Sequence, residues 1–269
     1  MTRFPAMESR SDLSAEEPVD YRTHEGRVAV VTGAAGGIGR ALCRMLATRG
    51  AQVVGADIGD LSGTRNDVEI ARGQWLGVQC DVSSPEEVIE LAGAVEERFG
   101  RCNVLINNAG IFPDRHFDET DFALWRRVMS INLDGAFLTC KALVPLMQRN
   151  RWGRIVNMVS SSVENSRQAL SAYKASKLGL VGLTRGIAPD VAAYGICVNA
   201  VSPAFTRTPG NMARIAQIGD RLTEMANMQC IKRLAEPEDV VPTILFLTSD
   251  DACFITGQTI YADGGLYFK

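Results

Sequence analysis

Short apolar runs alternate with longer amphipathic segments along this chain, and no other feature restricts its fold as strongly. The runs are VAVV (28–31), QVVGA (52–56), WLGVQC (75–80), NVLI (103–106), RIVNMV (154–159), ICVNAV (196–201) and QTIYA (258–262). Each is apolar enough for burial on both faces, as in a parallel sheet. Helices are predicted between them, over residues 39–49, 85–99, 122–149 and 173–193. The pattern predicts an α/β fold, a doubly wound parallel β-sheet with helices on both faces.

The two ends of this pattern set the domain organisation. Residues 1–25 are polar, acidic in their second half and without hydrophobic periodicity, which predicts a flexible N-terminal extension. A partner-binding arm is the alternative for this segment. No Pro/Gly/Ser-rich linker or internal repeat interrupts the remainder, so residues 26–269 are predicted to form a single domain.

The bulk composition excludes several classes of function. A net charge of -3 with scattered Lys and Arg gives no electrostatic footprint for nucleic acid or an acidic membrane surface. With two histidines, and seven cysteines that form no CxxC pair, neither a metal site nor a disulfide framework is expected. No apolar run approaches membrane-spanning length, and the N-terminus lacks the apolar core of a signal peptide. Reduced thiols and a cytoplasmic location are therefore expected.

A glycine-rich turn follows the first apolar run. Its sequence, TGAAGGIG (32–39), leads directly into a predicted helix. Backbone N–H groups and the positive end of the helix dipole can face a phosphate there, and glycine lets the backbone approach it closely. The strand before the turn and the helix after it favour a dinucleotide site over a merely flexible loop.

The second apolar run ends in an acidic residue, Asp57, 24 positions after Gly33. A carboxylate at this point can accept hydrogen bonds from an adenosine ribose and would repel a 2′-phosphate. No Lys or Arg occurs at 34–36 or at Ile58 to offset that repulsion. The sequence thus favours NAD over NADP, with a solvated loop carboxylate as the alternative for Asp57.

A tyrosine and a lysine lie one helical turn apart in YKASK (173–177). A free tyrosine has a pKa of about 10, and a cation one turn away favours the phenolate. Most such pairs are only helix surface, but Tyr173 and Lys177 beside a dinucleotide can form an acid–base pair. Ser160 supports this interpretation, because it ends a strand 13 positions before Tyr173 and would face the same crevice.

Together these motifs resemble the classical short-chain dehydrogenase/reductase family. The resemblance runs from about Arg27 to Phe268 and rests on TGAAGGIG (32–39), CDV (80–82), NNAG (107–110), IN (131–132), the serine of NMVSSS, YKASK (173–177), NAVSP (199–203) and ITGQTIYADGG (255–265). It implies a Rossmann fold, a homotetramer, and an oxidoreductase that interconverts a secondary alcohol and a ketone by hydride transfer to or from NAD. The chain looks most similar to bacterial NAD-dependent secondary alcohol dehydrogenases.

The resemblance also assigns roles to residues. It implies that Ser160, Tyr173 and Lys177 are catalytic and that Asn132 completes a proton relay; the 13-residue spacing to Tyr173 selects Ser160 over the two serines that follow it. The residues implied to bind the cofactor are Gly33, Gly37, Ile38, Gly39, Asp57, Asp81, Val82, Asn108, Ala109, Gly110, Tyr173, Lys177, Pro203 and Thr208. Among these, Asp81 and Val82 are expected at the adenine, Asn108 on the ribose side and Thr208 at the nicotinamide carboxamide.

Two residues depart from the family's pattern. Ala204 follows Pro203 where the family usually has glycine, so a backbone conformation easy for glycine must suit alanine. Pro189 lies in the continuation of the helix that carries Tyr173, where proline removes a hydrogen bond and kinks the axis. Because Pro189 lies well past Lys177, we expect altered packing rather than lost chemistry.

The resemblance implies a substrate lid over residues 205–230. Its apolar residues recur at helical spacing and are Met212, Ile215, Ile218, Leu222, Met225 and Met228. Apolar lids favour secondary alcohols with an aromatic or cyclic apolar substituent over polyols and charged hydroxy acids. Capture of an anionic substrate by Arg207 or Arg214 is the alternative.

Two further functions stay open at this point. One is a ketone or 3-oxoacyl reductase, which usually requires NADPH and is disfavoured by Asp57. The other is a non-catalytic NAD-binding regulator, which has no need to keep Asn132, Ser160, Tyr173 and Lys177 together.

Overall fold

Strands and helices alternate along the chain in the computed structural model, which describes residues 22–212, 219 and 221–268. The strands are β1 (Val28–Thr32), β2 (Gln52–Asp57), β3 (Trp75–Gln79), β4 (Val104–Asn107), β5 (Gly153–Met158), β6 (Ile196–Pro203) and β7 (Thr259–Ala262). The α-helices are α1 (Gly37–Thr48), α2 (Ser62–Ile70), α3 (Pro85–Phe99), α4 (Phe122–Met129), α5 (Gly135–Asn150), α6 (Ser171–Val191), α7 (Arg221–Met228) and α8 (Pro237–Leu247). The predicted doubly wound α/β fold is confirmed.

All seven strands pair in parallel in one sheet, in the order β3-β2-β1-β4-β5-β6-β7. The chain winds outward from β1 in one direction and then, from β4, in the other. Neighbouring loops therefore diverge between β1 and β4, which opens a crevice at the carboxyl ends of these strands. The glycine-rich turn and the NNAG motif both border this crevice, because one follows β1 and the other follows β4.

Apolar side chains cover the sheet on both faces. One cluster joins the sheet to α1 and α8, and the other joins it to α3 and α5. The central strands β1, β4, β5 and β6 are fully buried, as predicted. The expectation of complete burial is wrong for β3 and β7, because these edge strands have a neighbour on one side only and remain partly exposed.

Helix boundaries follow the local chemistry of the chain. Helix α3 begins after Ser84, whose side chain caps the Glu87 N–H, and ends at Gly100 with φ of 68°. Helix α6 continues through Pro189 to Val191. The predicted helix over 122–149 is instead interrupted, because a single π-helical turn, Ser130–Asp134, separates α4 from α5. Such turns commonly occur at functional sites, and this one carries Asn132.

The folded body begins earlier than predicted. Residues 22–25, assigned from sequence to the flexible extension, form a turn in which His24 is fully buried and bonded to Thr248 Oγ1 at 2.9 Å. Burial lowers the His24 pKa to about 4, so this contact is made by a neutral imidazole. Residues 1–21, the rest of the predicted extension, lie outside the described residues. Among the described helices none is long and apolar enough to cross a membrane.

Candidate active site

A cavity of about 1510 Å³ runs along the carboxyl ends of the strands. It joins the glycine-rich turn at one end to the loops around Ser160 and the lid at the other. Most of the site residues predicted from sequence line it. Gly39 and Asn132 do not, and both lie directly behind its wall.

The glycine-rich turn is shaped by three contacts that only glycine permits. Gly33 has φ of +67°, and a Cβ there would lie 2.8 Å from Asn108 Nδ2. Gly37 has φ of +55°, and its Cβ would lie 3.2 Å from Thr208 Cγ2. Gly39 packs against the start of the glycine-rich turn instead of lining the cavity, since a Cβ there would lie 2.0 Å from the Gly33 carbonyl oxygen.

This turn fits a pyrophosphate. No side chain caps the N-terminus of α1, where Gly36 is the N-cap residue, and no acidic residue lies in its first turn. The N–H groups that begin a helix lack partners within that helix and attract anions. The residues that begin this helix line the cavity, so their N–H groups are accessible to a dinucleotide.

The carboxylate of Asp57 is fixed at the end of β2. Its Oδ2 accepts a hydrogen bond from Ala35 N at 2.9 Å, and its Oδ1 accepts one from Gly59 N at 2.8 Å. Ile58 follows it and is 70% exposed on the cavity wall. The nearby Arg40 is engaged elsewhere, because its guanidinium forms a bidentate pair with Asp67 at 2.7 and 3.0 Å.

Two other predicted cofactor residues have defined local partners. Asn108 donates from Nδ2 to the carbonyl oxygens of Thr32 and Gly33 at 3.0 and 3.1 Å, so its amide group braces the glycine-rich turn. Asp81 Oδ1 accepts from Ser83 N and Ser83 Oγ at 2.9 and 2.7 Å. The other members of these two motifs, Val82, Ala109 and Gly110, line the cavity beside them.

Tyr173 and Lys177 project from the first half of α6 into the middle of the cavity. Lys177 is buried, donates from Nζ to the Met158 carbonyl oxygen at 2.7 Å, and lies 5.7 Å from the centre of the Tyr173 ring. Burial lowers the Lys177 pKa to about 8. Phe112 contacts the same ring edge-on, with ring centres 6.1 Å apart.

Asn132 is buried in the π-helical turn. Its Oδ1 accepts from Ile111 N at 2.8 Å, and its Nδ2 donates to Ile111 O at 2.8 Å and to Ser176 Oγ at 3.0 Å. A Cβ on Gly110 would lie 3.2 Å from Asn132 Oδ1 and 3.5 Å from Lys177 Nζ. Asn132 thus ties the NNAG loop to α6 close to the lysine ammonium.

Ser160 lies at the end of β5, on the cavity wall. It is the N-cap of a short 3₁₀ turn, Ser161–Glu164, and its Oγ accepts from Ser162 N at 3.2 Å. The two hydroxyls of Ser160 and Ser162 are hydrogen-bonded at 2.9 Å. The 13-residue spacing to Tyr173 selected Ser160 from sequence and gave no role to Ser162. The hydrogen bonds between Ser162 and Ser160 form because the 3₁₀ turn brings the two residues together.

Ala204, which follows β6 where the family usually has glycine, adopts an ordinary backbone conformation. Ala204 is buried, and it is not among the non-glycine residues of the described chain with positive φ. Alanine therefore fits this position without strain. Pro203 and Thr208 line the cavity, and Thr208 contacts the region of Gly37.

The lid is apolar toward the cavity over part of its length. Met225 and Met228 line the cavity, whereas Met212 and Leu222 do not. Two further predicted lid residues, Ile215 and Ile218, lie outside the described residues. Of the two arginines considered for an anionic substrate, Arg214 is also outside them, and Arg207 pairs with Glu236 at 3.1 Å away from the cavity.

Sequence analysis missed several residues of the cavity, and three of them are polar side chains of its substrate half. Asp114 and Arg167 lie on opposite loops of the substrate half, and Tyr267 approaches from the C-terminal segment. The Asp263 carboxylate positions that segment by accepting three backbone hydrogen bonds, from residues 265, 266 and 267. The ADGG motif at 262–265 could have indicated this turn, and the position of Arg167 between Ser160 and Tyr173 could have indicated a site residue.

Comparisons with known proteins agree with this geometry. The family model described as Enoyl-(Acyl carrier protein) reductase matches residues 33–267. The cis-4-hydroxycyclohexanecarboxylate dehydrogenase of Sinomonas cyclohexanicum is 43% identical over 246 residues, 89% of this chain and 96% of that protein. The 3-oxoacyl-acyl-carrier-protein reductase FabG of Vibrio cholerae is 35% identical over 245 residues, 90% of this chain and 98% of that protein.

Solved structures show the same fold. Levodione reductase superposes with a TM-score of 0.84 at 30% identity, covering 90% of this chain and 98% of that one. A short-chain dehydrogenase/reductase structure from Burkholderia xenovorans superposes with a TM-score of 0.87 at 33% identity. The chain belongs to the classical short-chain dehydrogenase/reductase family and is an oxidoreductase.

Proposed function

We propose that this protein is an NAD-dependent oxidoreductase that interconverts a secondary alcohol and a ketone. The observation that carries the proposal is one cavity with two chemically distinct ends. At one end the Asp57 carboxylate is held beside a bare helix N-terminus, and at the other Ser160 lies with Tyr173 above a buried lysine. The first end suits the adenosine and pyrophosphate of NAD, and the second suits a carbinol group.

The preference for NAD over NADP rests on charge. Both oxygens of Asp57 already accept backbone hydrogen bonds, so the carboxylate is fixed at the rim of the cavity. A 2′-phosphate brought to this position would meet a like charge, which is strongly unfavourable. No Lys or Arg of the glycine-rich turn or of the end of β2 lines the cavity to compensate.

The proposed chemistry assigns one task to each polar side chain. Bound NAD supplies the hydride acceptor. The Ser160 hydroxyl donates a hydrogen bond to the substrate oxygen, and the Tyr173 phenolate accepts the proton of the alcohol. The Lys177 ammonium stabilises the phenolate electrostatically, and Asn132 holds the loop next to it. In the reductive direction, Tyr173 donates the proton and the ketone becomes the alcohol.

An apolar ring next to the carbinol carbon suits the substrate half. Phe112, Met225 and Met228 line it, and methionine adapts to irregular ligand shapes. The similarity to a dehydrogenase named for a hydroxycyclohexane substrate supports the same class. The test is a panel with NAD, read as NADH formation, that compares a 1-arylethanol, a cyclohexanol, a sugar alcohol and a 3-hydroxy acid. A clear preference for the sugar alcohol would contradict the proposed substrate class.

A 3-oxoacyl reductase is the second candidate. It is supported by the similarity to FabG and by the description of the matching family model. Oxidation of NADPH by a 3-oxoacyl thioester, faster than any alcohol oxidation with NAD, would favour this function. Binding of NAD without turnover on either panel would instead favour a non-catalytic regulator.

We further propose that the protein is a homotetramer, as the family resemblance implies, built from two distinct apolar surfaces. One lies on α5 and α6, where Phe137 and Leu178 are about half exposed. The other lies near the C-terminus, where Phe254 and Phe268 are almost fully exposed. Exposed apolar side chains of this size favour association between subunits. Sedimentation at micromolar concentration tests this proposal, and an active monomer would contradict it.

A further inference from the structure

The substrate half of the cavity contains an arginine with no role in the mechanism above. Arg167 lies in the loop between Ser160 and Tyr173, the two residues proposed to bind the carbinol group. The side chain lines the cavity and is 33% exposed. A partly buried arginine on the wall of this cavity can contact a bound ligand.

Two neighbouring contacts fix the backbone that carries this arginine. Arg167 N donates to Asn165 Oδ1 at 3.0 Å, and Ala169 O accepts from Arg115 N at 3.0 Å. The second contact crosses between the loop after β4 and the loop after β5. Because both loops are held together, the backbone that carries Arg167 has a defined position on the wall of the cavity.

The guanidinium faces an acidic side chain across the cavity. Arg167 Nη2 lies 3.8 Å from Asp114 Oδ2. The two side chains form an ion pair, but the distance is too long for a hydrogen bond. Exposed pairs of this kind contribute little to stability, whereas a bidentate arginine–carboxylate pair is strong and directional. The loose pair therefore leaves Arg167 able to exchange Asp114 for a better-placed carboxylate.

Other cationic side chains on the cavity are less suited to this task. Lys177 is bonded to Met158 O and faces Tyr173, and Arg127 lies on α4, outside the loop that joins Ser160 to Tyr173. Arg207 is paired with Glu236 away from the cavity. Apolar side chains of Phe112, Leu170 and Leu266 line the same cavity.

We propose that Arg167 binds a carboxylate carried by the substrate, and that Asp114 pairs with Arg167 when no substrate is present. This proposal rests on the proposed alcohol oxidation. The substrate class is then a cyclic secondary alcohol with a carboxylate on the ring, remote from the carbinol carbon. This changes the sequence-based expectation, in which charged hydroxy acids were disfavoured and only Arg207 or Arg214 were considered for anions.

The test compares two substrates that differ only in charge, 4-hydroxycyclohexanecarboxylate and its methyl ester. In the wild type the acid should have the larger kcat/KM. Arg167→Gln should lower the acid-to-ester ratio of kcat/KM by about tenfold or more, because a charged hydrogen-bond partner is lost. Arg167→Lys should restore part of the ratio. Asp114→Asn should raise the ratio severalfold, since it removes the competing carboxylate.

Two arginine variants serve as matched controls. Arg207→Gln removes an arginine outside the cavity, and Arg127→Gln removes one that lines it on α4. Neither should change the acid-to-ester ratio by more than about twofold, the variation usual for a substitution that removes no contact to the substrate. A ratio that falls in Arg127→Gln and not in Arg167→Gln would overturn the assignment, as would a wild type that prefers the ester.

A binding measurement separates this site from the oxidoreductase function. Cyclohexanecarboxylate is titrated calorimetrically into enzyme saturated with NAD, using the wild type and Arg167→Gln. Weaker binding by the variant supports the anion site even if neither alcohol is oxidised, in which case the proposed function alone fails. Equal binding by both proteins overturns the anion site whatever the turnover.

Discussion

The two halves of the cavity are built in different ways. The cofactor half is formed where buried strands end, and its groups are held by backbone contacts within a few residues of the strands, as with Asp57 and the glycine-rich turn. The substrate half is formed by long loops and the lid, and its groups are held by side chains such as Asp263 and by loose pairs such as Asp114–Arg167.

This difference indicates how the two halves acquire their chemistry. A strand end in a parallel sheet has one position, set by the hydrogen-bond ladder, so the cofactor half is rigid by construction. Loops tolerate substitution much better than the elements that they join. We therefore expect changes in the cofactor half to alter which cofactor is used, and changes in the substrate half to alter which compound reacts.

Removal of the hydroxyl oxygen from Tyr173, the proposed acid–base group, should have the largest effect on activity. Tyr173→Phe should lower kcat by about a thousandfold, within the range for a lost general acid–base group, and leave NAD binding nearly unchanged. Tyr267→Phe is the matched control, because it removes a tyrosine hydroxyl from the substrate half of the same cavity. Steady-state kinetics and NAD titration check both. If Tyr173→Phe keeps most of its activity, Tyr173 is not the acid–base group.

The buried lysine should make stability depend on pH. The Lys177 pKa is about 8 in the folded protein and 10.5 ordinarily, so the unfolded state binds more protons between these values. The free energy of unfolding of the wild type should therefore rise through this window, by about 2–3 kcal/mol from this group.

Lys177→Met removes this titration and serves as its reference. Denaturant unfolding of both proteins at pH 7.5 and 10.5 gives the difference, in which other titrating groups cancel. The free energy of unfolding of the wild type should increase relative to that of the variant as the pH is raised. A constant difference would mean that burial of Lys177 does not lower its pKa.

Asp57 should control the choice of cofactor with a smaller effect. Asp57→Ala should lower the ratio of kcat/KM for NAD to that for NADP by about tenfold to thirtyfold, since the charge repelling the 2′-phosphate is lost. Asp60→Asn is the control, because it removes the charge of a nearby carboxylate that accepts hydrogen bonds from Ser62. Wild-type enzyme that uses both cofactors equally would contradict the role of Asp57.

The smallest effect is expected in the substrate half. Ala169 has φ of 62°, a conformation that alanine adopts at a cost and glycine adopts freely. Ala169→Gly should raise the free energy of unfolding by up to about 1 kcal/mol, part of the gain being offset by the greater entropy of the unfolded chain. Ala193→Gly, at a position without positive φ, should lower it. Thermal unfolding distinguishes the two; loss of stability in both would show that the loop is not strained.

Prediction from sequence succeeded where a local pattern determines the structure. Apolar periodicity located the strands, and the amphipathic pattern over 85–99 located both ends of α3, where the structure shows the Ser84 cap and Gly100. The π-helical turn around Asn132 was missed, because it changes the register of one helix by a single residue and leaves no compositional signal. The packing of His24 against Thr248 was missed because those residues are 224 positions apart.

The candidate site divides in the same way. The residues of the cofactor half could be predicted, since glycine, aspartate and asparagine at strand ends have few alternative uses. The substrate half could not, because Asp114 and Arg167 come together only through the packing of two loops. The lid was predicted as one apolar face, yet Met212 and Leu222 do not line the cavity, because periodicity does not specify which of its side chains turn toward the ligand.

The central claim is that a hydride passes from the carbinol carbon of a secondary alcohol to NAD. It is tested most directly with a cyclohexanol that carries deuterium on the carbinol carbon, incubated with wild-type enzyme and NAD. Mass spectrometry of the cofactor should find one deuterium in the NADH formed, with the ketone as the other product. Reduced cofactor without deuterium, or reduction of NADP alone, would contradict the claim.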